Sequence, residues 1–144
     1  MDAVENAEDD GIAATTAVSD MGIGSADVVL AISASGRTAF TCAAATAAGK
    51  AGALTIGLFN NTDPPLAAAV EIAIPLITGA EAVAGSTRLK AGTAQKVCLN
   101  MISTLVMTRL GFVRDGQMIA MKPSNAKLRA RFEKIHAGDD DRDG

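Results

Sequence analysis

The amino-acid sequence predicts an α/β fold in which helices cover a parallel β-sheet. Three short runs rich in Val, Ile and Leu, at residues 27–33, 53–58 and 71–76, have the length of strands. None of them alternates polar with apolar residues, which is typical of strands covered on both faces of a parallel sheet. Helix-forming segments stand between the runs, and this alternation favours right-handed βαβ units.

Helices are expected around and between these strands. The segment 38–50 is dominated by Ala, the strongest helix former, and Ser124 is the predicted N-cap of the last helix. In the longest segment the apolar residues recur at steps of three and four, which predicts one buried stripe. The stripe consists of Ala94, Val97, Cys98, Met101, Ile102, Leu105 and Val106. The predicted helices span residues 38–50, 62–69, 89–110 and 124–136, with a weaker one at 3–18.

Composition limits the class of protein. A chain of 144 residues suits one domain, and 49% apolar with 20% charged residues excludes a wholly disordered chain. A net charge of −3 and the absence of Trp and Tyr disfavour a nucleic-acid binder. The acidic start is not typical of a signal peptide, and no apolar run reaches membrane-spanning length. One His with two separated Cys cannot form a Cys/His metal cluster. We therefore expect a cytoplasmic protein with no metal, cofactor, nucleic-acid or membrane partner.

A loop rich in hydroxyl groups follows the first predicted strand. Ser33, Ser35, Gly36 and Thr38 stand where a strand should end and a helix should begin, which is where open α/β sheets bind ligands. Free amides at a helix N-terminus suit a phosphate, and Gly36 permits close approach of the backbone. The loop lacks the sequence patterns of nucleotide and dinucleotide sites. A simple capping turn explains the spacing equally well.

A second loop, residues 79–96, leads into the longest predicted helix and combines glycines, hydroxyl groups and bases. This composition mildly favours a polyanion-binding or subunit-contact loop. The alternative is a helix cap whose basic side chains lie in solvent. The candidate residues here are Glu81, Ser86, Thr87, Arg88 and Lys90.

The acidic stretch at residues 5–10 could supply a carboxylate to a bound sugar. Glu8 is the candidate, acting as a general base. A solvated acidic helix start, favourable to the helix dipole, is the ordinary interpretation of such a stretch.

Taken together and in this order, these three stretches resemble the N-acetylmuramic acid 6-phosphate etherase family. The run GSTRLKAGTAQK at 85–96 is close to the family signature, and ISASGRT at 32–38 matches the phosphosugar loop of the wider sugar isomerase (SIS) group. VENAEDD at 4–10 and NAKLRAR at 125–131 also resemble family motifs. The family is related to the glucokinase regulatory protein. The resemblance implies an SIS-type domain over residues 1–136, followed by an acidic tail at 137–144.

The resemblance implies a flavodoxin-like, three-layer αβα sheet and a reaction in cell-wall sugar recycling. The family cleaves the lactyl ether of N-acetylmuramic acid 6-phosphate to N-acetylglucosamine 6-phosphate and D-lactate, without a metal. By motif match, Glu8 is one of two catalytic carboxylates, and Ser33, Ser35 and Thr38 hold the sugar phosphate. A non-catalytic phosphosugar-binding or regulatory module is the alternative function.

The resemblance covers only the C-terminal part of the family. Full-length members begin with a segment that holds further strands, a first Gly-rich loop and the second catalytic acid, and Asn6 replaces the Gly usual in the acidic motif. Since paired acid/base work needs two carboxylates, we expect a carbon–oxygen lyase domain that is incomplete alone. Three strands also leave a sheet edge and an apolar face open, which predicts a homodimer or higher oligomer.

Overall fold

The computed structural model describes residues 6–136, so the predicted acidic tail at 137–144 lies outside the described residues. The chain divides into two compact units, and the boundary falls between Val97 and Cys98. Each unit is built around its own elements. In the part described, no helix is long and apolar enough to cross a membrane.

The first unit holds a three-stranded parallel sheet and the helices that connect its strands, which confirms the α/β prediction. The three strands lie side by side in chain order and are joined by two helices. A 3₁₀ turn at Ala7–Asp9 comes before the first α-helix. The elements are α1 (Gly11–Asp20), β1 (Val28–Ile32), α2 (Ala39–Lys50), β2 (Leu54–Phe59), α3 (Pro65–Ala68), β3 (Ile72–Pro75) and α4 (Lys90–Arg109), which belongs to the second unit from Cys98 onward.

The predicted helix at residues 3–18 is wrong at its start. The α-helix begins only at Gly11, because the Asp10 carboxylate accepts a 2.8 Å hydrogen bond from the Ala13 amide and caps the helix there. Residues 3–5 of the predicted helix lie outside the described residues.

One face of the sheet carries the core of the first unit. Ala31 on β1 and Phe59 on β2 pack with Ala45 of α2 and Leu66 of α3 in a single buried cluster. Gly57 allows this close packing, because a β-carbon there would lie 3.0 Å from the Val70 side chain. Both connecting helices therefore pack on the same face of the strands, as right-handed crossovers in one direction require.

The opposite face of the sheet is a row of branched apolar side chains. The parallel register pairs Val28 with Leu54, Leu30 with Ile56, and Ile56 with Ile72, and strand alternation puts these residues on one face. Val28 is 60% exposed and Ile72 is 44% exposed. This open sheet face is a large apolar surface that the described residues leave partly uncovered.

The predicted buried stripe of α4 is wrong for this chain. Met101 and Leu105 are 59% and 62% exposed, and Val97 and Val106 are also exposed. On the whole helix only Ala91 is buried. The periodic pattern correctly indicated a helix with an apolar side, but a pattern does not state whether the same chain covers that side.

The second unit continues from α4 into a short hairpin and a last helix. β4 (Val113–Arg114) and β5 (Gln117–Met118) pair antiparallel across an Asp115-Gly116 turn in which both φ angles are positive, as hairpin turns of this kind require. α5 spans Ala126–His136. Asn125, not the predicted Ser124, caps it, because the Asn125 side-chain oxygen accepts a 2.9 Å bond from the Leu128 amide.

Candidate functional site

The loop at residues 33–38 (the hydroxyl loop) leaves β1 at its carboxyl end. The Ser33 amide donates to the Leu58 carbonyl at 3.0 Å, so the pairing with β2 continues past the end of the strand. The chain then turns sharply, and the Gly36 amide donates to both the carbonyl and the side-chain oxygen of Ser33, each at 3.0 Å. These bonds fix the loop at the edge of the sheet where open α/β folds bind ligands.

Three of the predicted phosphate-binding residues come together in this loop. The Ser33 hydroxyl lies 3.3 Å from the Ser35 hydroxyl and 3.0 Å from the Thr38 hydroxyl. Ser33 is only 7% exposed, and the Ser35 oxygen also accepts a bond from the Arg37 amide at 3.1 Å. The result is a compact cluster of hydroxyl groups directly in front of α2.

The N-terminus of α2 has no side-chain cap. Thr38 occupies the N-cap position but makes no capping bond, because its hydroxyl is bonded to Ser33 instead. The first amides of α2 therefore keep their partial positive charge for another acceptor. Arg37 is exposed, and its guanidinium forms no ion pair with residues 6–136. Hydroxyl groups, open amides and a free cation are the donors that a phosphate monoester needs.

Gly36 is needed for the packing beneath the hydroxyl loop. Its φ is 65°, and an added β-carbon would lie 2.5 Å from the Pro64 β-carbon. The Gly36 carbonyl accepts a bond from the Leu66 amide at 3.0 Å. The close approach that the sequence predicted at this glycine is thus made by the start of α3.

Two asparagines that sequence reasoning missed donate hydrogen bonds to backbone carbonyls of the hydroxyl loop. Asn60 is 8% exposed, and its backbone amide donates to the Ala34 carbonyl at 3.0 Å. The Asn61 side chain donates to the Ser35 carbonyl at 3.3 Å. Their position directly after the second predicted strand, at the same edge of the sheet, was the available signal.

The second predicted loop has a different arrangement. The Glu81 carboxylate accepts 2.9 Å bonds from the amides of Lys90 and Ala91, so it caps the N-terminus of α4. Hydrogen bonds from the backbone amides of Ala91 and Lys90 lower the pKa of the Glu81 carboxyl below its usual value. Thr87 and Arg88 are exposed, and Ser86 is half-buried.

The acidic motif lies beside α2. The 3₁₀ turn that carries the exposed Glu8 packs against α2, and a β-carbon on Gly11 would lie 3.3 Å from the Ala43 β-carbon. Asn6 has a φ of 71°, in the left-handed region that glycine favours and asparagine also tolerates. The replacement of the usual Gly by Asn therefore preserves the backbone conformation of the motif.

Metal-binding side chains do not gather in the described part of the chain. No group of three His, Cys, Asp or Glu residues within 6–136 is placed to hold a metal ion. Cys42 and Cys98 are free thiols, and burial raises the pKa of the Cys42 thiol. The Cys42 sulfur lies 3.8 Å from the Gly36 carbonyl, on the helix that follows the hydroxyl loop.

Comparison with known proteins finds relatives that are similar over most of the chain. The chain is 47% identical over 133 residues to the N-acetylmuramic acid 6-phosphate etherase of Deinococcus radiodurans, which covers 92% of this chain and 44% of the relative. It is 47% identical over 134 residues to the etherase of Streptomyces coelicolor, covering 93% of this chain and 43% of that protein. The etherase of Edwardsiella ictaluri is 43% identical over 144 residues, covering 99% of this chain and 48% of the relative. The chain thus spans less than half the length of these relatives, as expected from a partial resemblance.

Among solved structures, the fold is similar to the Vibrio vulnificus NanR protein, which was solved in complex with ManNAc-6P. The TM-score is 0.52 at 19% identity, covering 90% of this chain and 42% of that one. A family model described as SIS domain matches residues 10–105, which is more than half of the chain. This chain belongs to the SIS domain family.

Proposed function

We propose that this chain is the phosphosugar-binding domain of an N-acetylmuramic acid 6-phosphate etherase. The observation that carries the proposal is the cluster of Ser33, Ser35 and Thr38 hydroxyl groups in front of the uncapped α2. The identity of 43–47% to etherases supports the choice of reaction. In this proposal residues 1–136 are the SIS-type domain and 137–144 are a tail.

The hydroxyl loop has donors to spare for a phosphate. The three hydroxyl groups carry three protons, and the two bonds between them use at most two. At least one hydroxyl proton is therefore left for a ligand oxygen, beside the first amides of α2. A dianion placed there would gain charge-assisted hydrogen bonds and the favourable field of the helix.

The reaction itself needs acid and base groups in addition to the phosphate-binding site formed by the hydroxyl loop and the first amides of α2 (the phosphate cradle). In the proposed chemistry a base removes the C2 proton of the open-chain sugar, the bond from C3 to the lactyl oxygen breaks, and an acid protonates the departing lactate. Water then adds at C3. Glu8 is the proposed carboxylate for one of these proton transfers, because it lies exposed in a motif that packs against α2. A second carboxylate has to come from another segment or another chain.

We also propose that the chain assembles as a homodimer or higher oligomer and works in the cytoplasm. The open sheet face and the exposed apolar side of α4 support assembly, since contiguous apolar patches mark contact surfaces. The two free cysteines support a reducing compartment, since thiols persist there.

Ligand-dependent stability tests the binding proposal directly. Only the native state has the phosphate-binding site, so a ligand that binds there stabilises the fold. N-acetylglucosamine 6-phosphate should therefore raise the melting temperature, followed by circular dichroism. The unphosphorylated sugar should not, because it offers no anion to that site. An equal shift with both sugars, or no shift at millimolar phosphosugar, would contradict the proposal.

Release of D-lactate tests the catalytic part. The chain should release D-lactate from N-acetylmuramic acid 6-phosphate when the N-terminal half of a relative is supplied in trans, and Glu8→Gln should abolish this release. Phosphosugar binding without lactate release under any of these conditions would identify a non-catalytic binding module instead.

Sedimentation velocity tests assembly. At micromolar concentration the chain should sediment as a dimer or larger species, and Leu105→Glu on the exposed side of α4 should shift it toward the monomer. A monodisperse monomer in the unmodified chain would overturn this part of the proposal.

A further inference from the structure

A buried side-chain bridge joins the hydroxyl loop to the start of α4. Asn60, directly after β2, uses its backbone amide and both polar atoms of its side chain at once. Its backbone amide donates to the Ala34 carbonyl at 3.0 Å, its side-chain nitrogen donates to the Leu76 carbonyl at 2.7 Å, and its side-chain oxygen accepts from the Gln95 side chain at 2.9 Å. One residue therefore connects the loop after β1, the chain after β3 and the helix α4.

Gln95 connects α4 to the edge of the sheet. It belongs to the run of residues 85–96, and its side chain donates a hydrogen bond to Asn60 at the carboxyl edge of the sheet. The bond spans 35 positions of sequence and is partly buried, so solvent competes with it less than with a surface contact. Asn60 and Gln95 thereby connect the hydroxyl loop to the first turns of α4 by hydrogen bonds.

We propose that Asn60 and Gln95 form a positioning pair that sets the distance between the phosphate cradle and the sugar-facing part of the site. This inference rests on the proposed function, in which the hydroxyl loop holds the phosphate. Because Gln95 holds the start of α4 at the same edge of the sheet as the hydroxyl loop, we infer that a sugar extending from the bound phosphate meets the first turns of α4 and the loop before them. Neither side chain is assigned a contact with the ligand, and both act through the segments they connect.

Comparing two ligands separates positioning from general stability. Inorganic phosphate needs only the hydroxyl loop, whereas N-acetylglucosamine 6-phosphate needs the loop and the start of α4 in register. Gln95→Met keeps the length of the side chain and good helix propensity but removes the donor to Asn60. We expect this variant to bind the phosphosugar about five- to tenfold more weakly and inorganic phosphate with less than about a twofold change, by isothermal calorimetry.

A second variant identifies which bond matters. Asn60→Asp keeps an oxygen that accepts from Gln95 and loses the donor to the Leu76 carbonyl. Its added negative charge should weaken both ligands by a similar factor, so that the ratio of the two dissociation constants stays at the wild-type value. A ratio changed as in Gln95→Met would show that the bond to Leu76 controls the site, and would overturn the pair.

The controls keep this inference separate from the proposed function. Gln117→Met, an exposed glutamine on β5, should leave both affinities unchanged. If the wild type binds both ligands and Gln95→Met weakens both equally, the positioning pair is wrong while phosphosugar binding stands. If the wild type binds neither ligand, both proposals fall.

Discussion

The two helices that begin beside hydroxyl-rich loops differ in how their N-termini are capped. The N-cap residue of α2 is Thr38, whose hydroxyl bonds to Ser33 and leaves the helix amides without a side-chain cap. α4 begins with both oxygens of the Glu81 carboxylate on the amides of Lys90 and Ala91. One helix is open to an external anion, and the other already holds an internal one. Similar composition near a helix start therefore does not predict similar binding.

The largest effect that sharpens this comparison is expected at Gly36. In Gly36→Ala the β-carbon would meet the rigid ring of Pro64 at 2.5 Å, at a φ of 65° that alanine disfavours. We expect a loss of about 3 kcal/mol in the free energy of unfolding, measured in urea, and loss of phosphosugar protection.

Gly22 provides the matched control for that substitution. It has the same φ of 65°, but nothing lies within 4 Å of an added β-carbon. Gly22→Ala should therefore cost only the dihedral strain, about 1 kcal/mol. Equal losses in the two variants would show that Pro64 does not constrain the hydroxyl loop.

The next effect compares ligand binding by the two loops. Ser35→Ala removes one hydroxyl from the cluster and should weaken N-acetylglucosamine 6-phosphate binding about tenfold, measured by calorimetry. Thr87→Val removes an exposed hydroxyl from the loop before α4, and it should weaken N-acetylglucosamine 6-phosphate binding less than Ser35→Ala does and leave the affinity for inorganic phosphate unchanged. A larger loss for Thr87→Val than for Ser35→Ala would reverse the assignment of the two loops.

The smallest effect is the pH dependence of the Glu81 cap. Because the folded-state pKa of Glu81 is lowered, its contribution to stability is present above the unfolded pKa of about 4.5 and is lost as the pH falls through the folded pKa. Glu81→Gln should therefore melt below the wild type at pH 7 and approach it in acid.

Glu71→Gln, at an exposed glutamate before β3, is the control for the cap. It should melt close to the wild type across the same pH range. A gap between wild type and Glu81→Gln that stays constant from pH 7 to acid would mean that the charge of the cap contributes nothing.

The sequence predicted the parts of the fold that local pattern determines. The strands were recognisable because each is a short apolar run, and the hydroxyl loop because Ser33, Ser35 and Thr38 follow a strand end. The cap of α5 was misplaced by one residue, since Ser124 and Asn125 are both good N-caps and only the backbone conformation decides between them.

The parts that the sequence could not predict depend on distant contacts. The role of Asn60 exists only because Gln95, 35 positions later, returns to the same edge of the sheet. The internal capping by Glu81 likewise depends on how the loop folds back. The exposure of Met101 and Leu105 was missed because a periodic pattern records an apolar side without recording what covers it.

The row of branched side chains that includes Val28 and Ile72 has a practical consequence for handling this molecule. Fluorescent dyes that bind exposed apolar surface, and that normally detect molten-globule states, should bind this row while the protein is native. Dye-monitored melts would then start from a bright baseline and lose contrast. Spectroscopy of the peptide backbone avoids that artefact, and the bright baseline itself should fade when a partner surface covers the row.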